Sequence, residues 1–234
     1  MNMVAQMTIG AFREYEIPGL PTYDAALIAA CEAFPPPFGE QRYSDTYRRN
    51  ASRPEWVAFS LIAAAKSEGE GSQHLFDMAA CTPDEEIARQ MRQHALDELH
   101  HSRLYVTLLR LLFPTATDEE LQAQLRSLSP QYSGPAECLS STESPWAYPA
   151  TVDELIQMNL AEIRTRMYHL IQRPVLVDYC AIEWRPQVQR ILDKLLLDET
   201  RHVLYTALLI ERHAQASASG GRQVVYLMRE RMRE

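Results

Sequence analysis

Two short motifs constrain this chain more than any other feature of its sequence. Segments 97–101 (Asp-Glu-Leu-His-His) and 198–202 (Asp-Glu-Thr-Arg-His) each place a His three residues after a Glu, with an Asp directly before the Glu. Positions i and i+3 share a face of a helix, so the Glu and His of one motif can reach the same metal ion. A single Glu-x-x-His is a common chance match, but two copies that both carry the Asp are not. We interpret the motifs as two halves of a metal site.

Length and composition limit the class of protein. The 234 residues suit one domain with appendages, and 46% hydrophobic residues suffice for a sizeable core. A net charge of −8 argues against nucleic acid or an anionic membrane as a partner, since both require a basic surface. The longest nearly uninterrupted apolar run, residues 57–65, is too short to span a bilayer, and residues 1–19 do not resemble a signal peptide. Four widely spaced cysteines without a Cys-x-x-Cys are typical of a reducing cytoplasm, where we expect the protein.

The pattern of helix signals predicts an all-α fold, because no segment shows sustained alternation of period two. Proline at position 54 and capping boxes at residues 82–85 and 151–154 predict helix starts. The four long helices are expected at residues 54–80, 83–113, 151–172 and 187–213. Pro174 should end or kink the third, and Pro186 should interrupt the segment before the fourth. The long crossing between the second and third is typical of one class of four-helix bundle.

This pattern predicts that the chain has three parts. Residues 1–53 are expected to form an extended leader with one short helix at 25–34, and residues 54–213 the bundle. Within the crossing, a short helix is expected at 117–128 and a loop at 129–150. Residues 214–234 should contain a small-residue linker followed by a short C-terminal helix.

Each half of the predicted bundle is a pair of helices, and the second helix of each pair carries a motif. The first helix of each pair should supply one further carboxylate ligand. Glu68 shares a stripe with apolar residues, whereas Glu70 lies among polar ones, so Glu68 is preferred and Glu70 stays open. Gly69 and Gly71 around them could mark a close approach to the backbone. In the second half Glu162 is the best candidate. The predicted ligands are therefore Glu68, Glu98, His101, Glu162, Glu199 and His202.

These residues resemble the pattern of the ferritin-like di-iron carboxylate proteins, in which a Glu or Asp precedes Asp-Glu-x-x-His by some 30 residues and the unit is repeated. The second copy resembles the Asp-Glu-x-Arg-His of di-iron oxygenases and acyl carrier protein desaturases. The resemblance covers about residues 54–213. It implies a ferritin-like four-helix bundle with extra short helices at the termini. It also implies two iron ions, with Mn/Fe as an alternative to Fe/Fe, and dioxygen as co-substrate.

Further candidates follow from the resemblance and from helical spacing. Asp97 and Asp198 would each accept a ligand His N–H. His94 and His169 could be extra ligands or pocket residues, and a third His beside one motif also resembles the p-aminobenzoate N-oxygenases. Tyr105, four residues after His101, has the spacing of the radical Tyr in ribonucleotide reductase small subunits, which would give it a redox role. Arg166 could bind a substrate carboxylate or pair with an Asp near the metal.

Two classes of function remain. The resemblance implies a non-haem di-iron monooxygenase that hydroxylates, N-oxygenates, desaturates or cleaves a small organic substrate, for example in secondary metabolism. The alternative is a ferroxidase or iron-handling protein without an organic substrate. Because no flavin, nicotinamide or cysteine-cluster motif is present, an oxygenase would need an external ferredoxin or reductase. A monomer or homodimer is expected.

Overall fold

The computed structural model describes residues 1–113 and 144–234, and its regular elements in these ranges are helical. The α-helices are α1 (Met3–Arg13), α2 (Pro21–Ala33), α3 (Gln41–Asn50), α4 (Pro54–Cys81), α5 (Glu85–Leu112), α6 (Val152–Tyr179), α7 (Arg185–Gln215) and α8 (Gly220–Arg233). Short 3-10 turns lie at Pro37–Gly39 and Ile182–Trp184. No strand occurs in the described part of the chain, so the all-α prediction is confirmed there.

The crossing between α5 and α6 lies largely outside the described residues. The helix expected at 117–128 falls within 114–143, as does most of the loop expected at 129–150. Residues 144–150 are irregular, with turns and bends that lead directly into α6. Within the described ranges, no helix is long and apolar enough to cross a membrane.

The prediction of an extended leader is wrong. Residues 1–53 contain three helices rather than one, because buried side chains recur along α1 at positions 4, 5, 8, 11 and 12. This spacing of three and four residues makes one apolar face of a helix. The Asn2 side chain caps α1 by accepting the backbone N–H of Val4 at 2.8 Å. The short helix expected at 25–34 is part of the longer α2.

The start of α5 differs from the predicted capping box. Asp84 rather than Thr82 is the N-cap, and its Oδ1 accepts the backbone N–H groups of Glu86 and Ile87. The Thr82 hydroxyl donates instead to the Met78 carbonyl and accepts the backbone N–H of Ala150. Thr82 therefore ends α4 and holds the chain just before α6.

The start of α6 is as predicted, but its end is not. Thr151 Oγ1 accepts the backbone N–H of Glu154, whose carboxylate accepts the N–H of Thr151, so the capping box is confirmed. The helix continues through Pro174 to Tyr179. A proline inside a helix costs about 3 kcal/mol, and here buried side chains on both sides of it, at Gln172 and Leu176, favour continuation through packing. Pro186 lies in the first turn of α7, where a missing N–H is tolerated.

The chain divides into two compact units, and α6 and α7 contribute residues to both. The first unit consists of Met1–Tyr47, Thr151–Ile171 and Leu196–Glu234, and the second of Arg48–Ala150 and Gln172–Leu195. In the second unit α4 packs against α5. The hydroxyls of Ser72 and Ser102 bridge the two helices by donating to the carbonyls of Ala95 and Ala65, both at 2.7 Å.

A buried polar network holds the first unit together. The Tyr23 hydroxyl of α2 donates to Asn159 Oδ1 of α6 at 2.8 Å, and Asn159 Nδ2 contacts the Val203 carbonyl and Thr206 Oγ1 of α7, both at 2.9 Å. Glu211 of α7 accepts the backbone N–H groups of residues 22 and 23 at the start of α2. The network therefore ties α2 to the two helices that follow the crossing.

Removing the Tyr23 hydroxyl tests this network. Tyr23→Phe should lower the free energy of unfolding by about 1–3 kcal/mol, because the buried Asn159 Oδ1 loses its donor. Tyr226→Phe is the matched control, since Tyr226 is 63% exposed, and should change stability by less than about 0.5 kcal/mol. Urea unfolding followed by circular dichroism measures both, and equal midpoints for the two variants would contradict this role of Tyr23.

A glycine in α4 offers a second test. An added Cβ at Gly71 would meet no heavy atom within 4 Å, so the close approach considered for this residue is not found. Gly71→Ala should raise the free energy of unfolding by about 0.5–1 kcal/mol, because alanine loses less backbone entropy in a helix. At Gly39 the added Cβ would clash with Val4 Cγ2, so Gly39→Ala should be destabilising. Thermal melts should shift in opposite directions, and a lowered melting temperature for Gly71→Ala would contradict the helix argument.

Candidate metal site

The first motif lies on a buried face of α5. His94, Glu98 and His101 occur at spacings of four and three residues, and all three residues are at most 5% exposed. His94 Nε2 lies 3.0 Å from Glu98 Oε1, within hydrogen-bond distance. His101 Nδ1 lies 3.8 Å from the same oxygen. One carboxylate therefore faces two imidazoles on the same helix.

The second motif lies on α7 beside α6. His202 Nδ1 is 3.7 Å from Glu199 Oε2 and 3.9 Å from Glu162 Oε2. His169 Nε2 of α6 lies 3.7 Å from the other Glu199 oxygen. Glu199 is fully buried, and His202 and His169 are nearly so. The two helices thus combine two carboxylates with two imidazoles.

Two groups of these side chains could each hold a metal ion. The first group consists of His94, Glu98, Glu162 and His202, and the second of Glu68, His101 and Glu199. Within each group, every residue offers a ligand atom that lies within 4.8 Å of the others. All six predicted ligands occur in these groups, and His94 is the seventh member. The Glu and His of each motif fall in different groups, however, which differs from the expectation that they share one ion. His169 is in neither group, although it contacts Glu199.

The choice between the two glutamates of α4 can be examined directly. Glu68 is partly buried and belongs to the second group. Glu70 is exposed, and its carboxylate lies 3.7 Å from Lys66 in an i, i+4 ion pair. The structure therefore places Glu68 among the candidate ligands and Glu70 on a charged surface.

The residues predicted around the ligands occupy distinct environments. Asp198 is fully buried and accepts a hydrogen bond from Arg201 Nη1 at 3.1 Å. Asp97 is less buried and accepts one from the Gln93 amide at 3.2 Å. The proposed bonds from these carboxylates to ligand imidazoles stay predictions. Tyr105 is 1% exposed on α5, and its redox role also stays a prediction.

Arg166 lies one turn after Glu162 on α6. Its Nε donates to Thr200 Oγ1 at 3.0 Å, and that hydroxyl donates in turn to the Leu196 carbonyl at 2.8 Å. Burial lowers the pKa of Arg166, and the negative charge of Glu14 opposes this shift. Burial also raises the pKa of Tyr15, while Arg201 and Arg166 oppose that shift. The end of α1 therefore lies close to Arg166.

Sequence reasoning missed two residues that position this region. Asn159 lies on the apolar face of α6, and a buried amide there requires hydrogen-bond partners, so its type could have indicated the network with Tyr23. Thr200 lies inside the second motif, but only the contact with Arg166 shows what its hydroxyl does. Such a contact joins residues 34 positions apart, and no local pattern predicts it.

Comparison of the chain with protein-family models, curated proteins and solved structures found no significant match. The interpretation of the site therefore depends on the side chains themselves.

Metal analysis tests the two groups of ligands. Anaerobic addition of Fe(II) or Mn(II) should load about two ions per chain and raise the melting temperature, because binding to the folded state alone stabilises it. Glu199→Ala should remove most of the bound metal, since it deletes a fully buried donor, while leaving the helical circular dichroism nearly unchanged.

The matched control is Glu70→Ala, which deletes an exposed carboxylate of the same type. Metal content by mass spectrometry should equal that of the unaltered chain. Equal metal loading of the Glu199→Ala and Glu70→Ala variants would contradict the assignment of Glu199 as a ligand.

Proposed function

We propose that this chain is a ferritin-like four-helix bundle, formed by α4 to α7, that binds two iron ions and uses dioxygen to oxidise a small organic substrate. The observation that supports this most is the pair of buried groups made of carboxylates and imidazoles. In ferritin-like di-iron proteins two helices each supply a Glu and two supply a Glu-x-x-His. Here α4 and α6 supply Glu68 and Glu162, and α5 and α7 supply the motifs.

The donor set fits iron. The groups together contain four carboxylates and three imidazoles, and no cysteine. Oxygen and imidazole donors are typical of iron, manganese or zinc rather than of metals that prefer thiolates. Four negative charges would balance two divalent ions, so carboxylates that are expensive to bury alone would become favourable with metal bound.

The same side chains could instead form an ion-pair network without metal, in which protonated imidazoles balance the carboxylates. Because His169 lies 3.7 Å from Glu199, four imidazoles face the four carboxylates, and charge balance is satisfied in either account. Loading experiments distinguish the two accounts, because the network would take up no stoichiometric metal.

Each residue has a role in this proposal. Glu98 would bind through one oxygen while His94 stays within hydrogen-bond distance of it, so His94 either orients that carboxylate or becomes a further donor. His169 would act in the same way on Glu199. When bound, two Fe(II) ions would supply two of the four electrons that full reduction of dioxygen needs. Burial of the ligands would exclude water from the reacting centre.

Monooxygenation consumes two electrons beyond those taken from the substrate. Because the sequence carries no motif for a flavin, nicotinamide or cysteine-bound cluster, an external reductase or ferredoxin would supply them. The substrate itself could also supply them if it is readily oxidised. We expect no sustained turnover of an unactivated C–H substrate by the isolated protein without reductant.

Iron loading followed by dioxygen tests the proposal. After anaerobic Fe(II) titration, uptake should saturate near two ions per chain in a monomer or dimer. When dioxygen is then added, the protein should consume it in proportion to the bound iron. Glu98→Ala should abolish both iron uptake and dioxygen consumption, because it removes a buried metal donor. An oxygen electrode and light scattering measure consumption and size together.

Two outcomes would contradict the proposal that this chain is an oxygenase. Uptake of many ions per chain into a large assembly would indicate iron storage or ferroxidase activity instead. Absence of stoichiometric iron would indicate the ion-pair network. The exposed variant Glu70→Ala is again the control, and it should behave as the unaltered chain.

A further inference from the structure

The Arg166 guanidinium is partly buried and lacks an anionic partner among the described residues. Its Nε bonds to the neutral Thr200 hydroxyl, but its Nη1 has almost no solvent access and no hydrogen-bond partner within residues 1–113 and 144–234. A guanidinium presents five N–H donors in a fixed plane, and the two on Nη1 are unsatisfied here. An inaccessible donor without an acceptor is unfavourable, and an anion that accepted from it would remove this cost.

Two acidic residues of the same unit, Asp198 and Glu14, form no ion pair with Arg166. Asp198 is one of the two Asp residues beside the motifs with which Arg166 could pair, and it accepts a hydrogen bond from Arg201. Glu14 is near enough to affect the pKa of Arg166, but it is an exposed residue at the end of α1 and forms no ion pair with this guanidinium. The described neighbours therefore orient the guanidinium without neutralising it.

The position of Arg166 links it to the candidate metal ligands. It follows Glu162 by four residues on α6, so the two side chains leave the same face of the helix one turn apart. Thr200, which accepts the Nε–H, directly follows Glu199 on α7. The Thr200 hydroxyl is itself fixed by the Leu196 carbonyl, so the guanidinium is held in a defined direction.

We propose that Arg166 binds the carboxylate of an organic acid, and that the substrate of this protein is therefore a small carboxylic acid. A guanidinium and a carboxylate match in plane and spacing and can form two parallel hydrogen bonds. With Nε occupied by Thr200, the Nη atoms are the donors for the ligand. The substrate assignment rests on the proposed function, whereas the anion site itself rests on the geometry of Arg166.

Binding measurements on the iron-loaded, anaerobic protein test this site. The probes are acetate, hexanoate, benzoate and phenylacetate, each compared with its neutral amide by isothermal titration calorimetry. At least one acid should bind at least about 10-fold more tightly than its amide, since a charged hydrogen bond contributes that much. Arg166→Gln should remove this preference.

The matched control is Arg164→Gln. Arg164 lies two residues away on α6, is exposed, and lines a surface groove together with Pro37 and Met232. Its substitution should leave every affinity within about 2-fold, because it is not near the Thr200 contact. Arg166→Lys keeps the charge but loses the planar pair of donors, so it should lower the affinity for the acid by about 5-fold or more. If Arg166→Gln fails to fold, Arg166→Lys is used for the comparison instead.

The outcomes separate the anion site from the proposed function. The anion site is overturned if no acid binds more tightly than its amide, or if Arg166→Gln and Arg166→Lys both bind the acids as the unaltered chain does. Iron content is measured in parallel for each variant. Two irons per chain without acid preference would leave the di-iron proposal standing, and Arg166-dependent acid binding without iron would leave only the anion site.

Discussion

The structure depends most on the burial of carboxylates beside imidazoles along three helices. Glu98 and Glu199 are nearly or fully inaccessible to solvent, and each lies beside more than one His. An isolated carboxylate in such a place would be strongly unfavourable, so the surrounding charges must compensate it. Protonated imidazoles or a bound metal ion would provide this compensation.

Hydrogen bonds away from the site hold these helices in register. In the first unit, Asn159 joins α2, α6 and α7, and Glu211 fixes the start of α2. In the second, the hydroxyls of Ser72 and Ser102 link α4 to α5 through backbone carbonyls. Each of these bonds satisfies a polar group in the interior, where an unsatisfied one costs about 1–3 kcal/mol. A one-residue shift of any of these five helices would break more than one of these bonds at once.

Two neighbouring arginines, Arg201 and Arg166, differ in whether they have an acidic partner. The buried Asp198 is occupied by Arg201, which leaves Arg166 with one neutral acceptor. Arg166 thereby keeps donors for an external anion close to the position of Glu162 on α6. A cation that was already paired could not discriminate an acid from an amide, since ligand binding would first have to break an ion pair.

Local patterns in the sequence determined the helical class, the start of α6 and the place of the Glu and His of each motif on one face of a helix, because all of these depend on neighbours three or four residues apart. Which Glu and His share a candidate group was decided by the tertiary structure. Local patterns did not reveal the helices of the first 53 residues or the passage of α6 through Pro174, since packing of buried faces decided both. The same holds for the place of Glu68 and His94 among the candidate ligands and for the contact of Arg166 with Thr200. Those arrangements join residues distant in the chain, and only the tertiary structure brings them within the few ångströms at which charge and hydrogen bonding act.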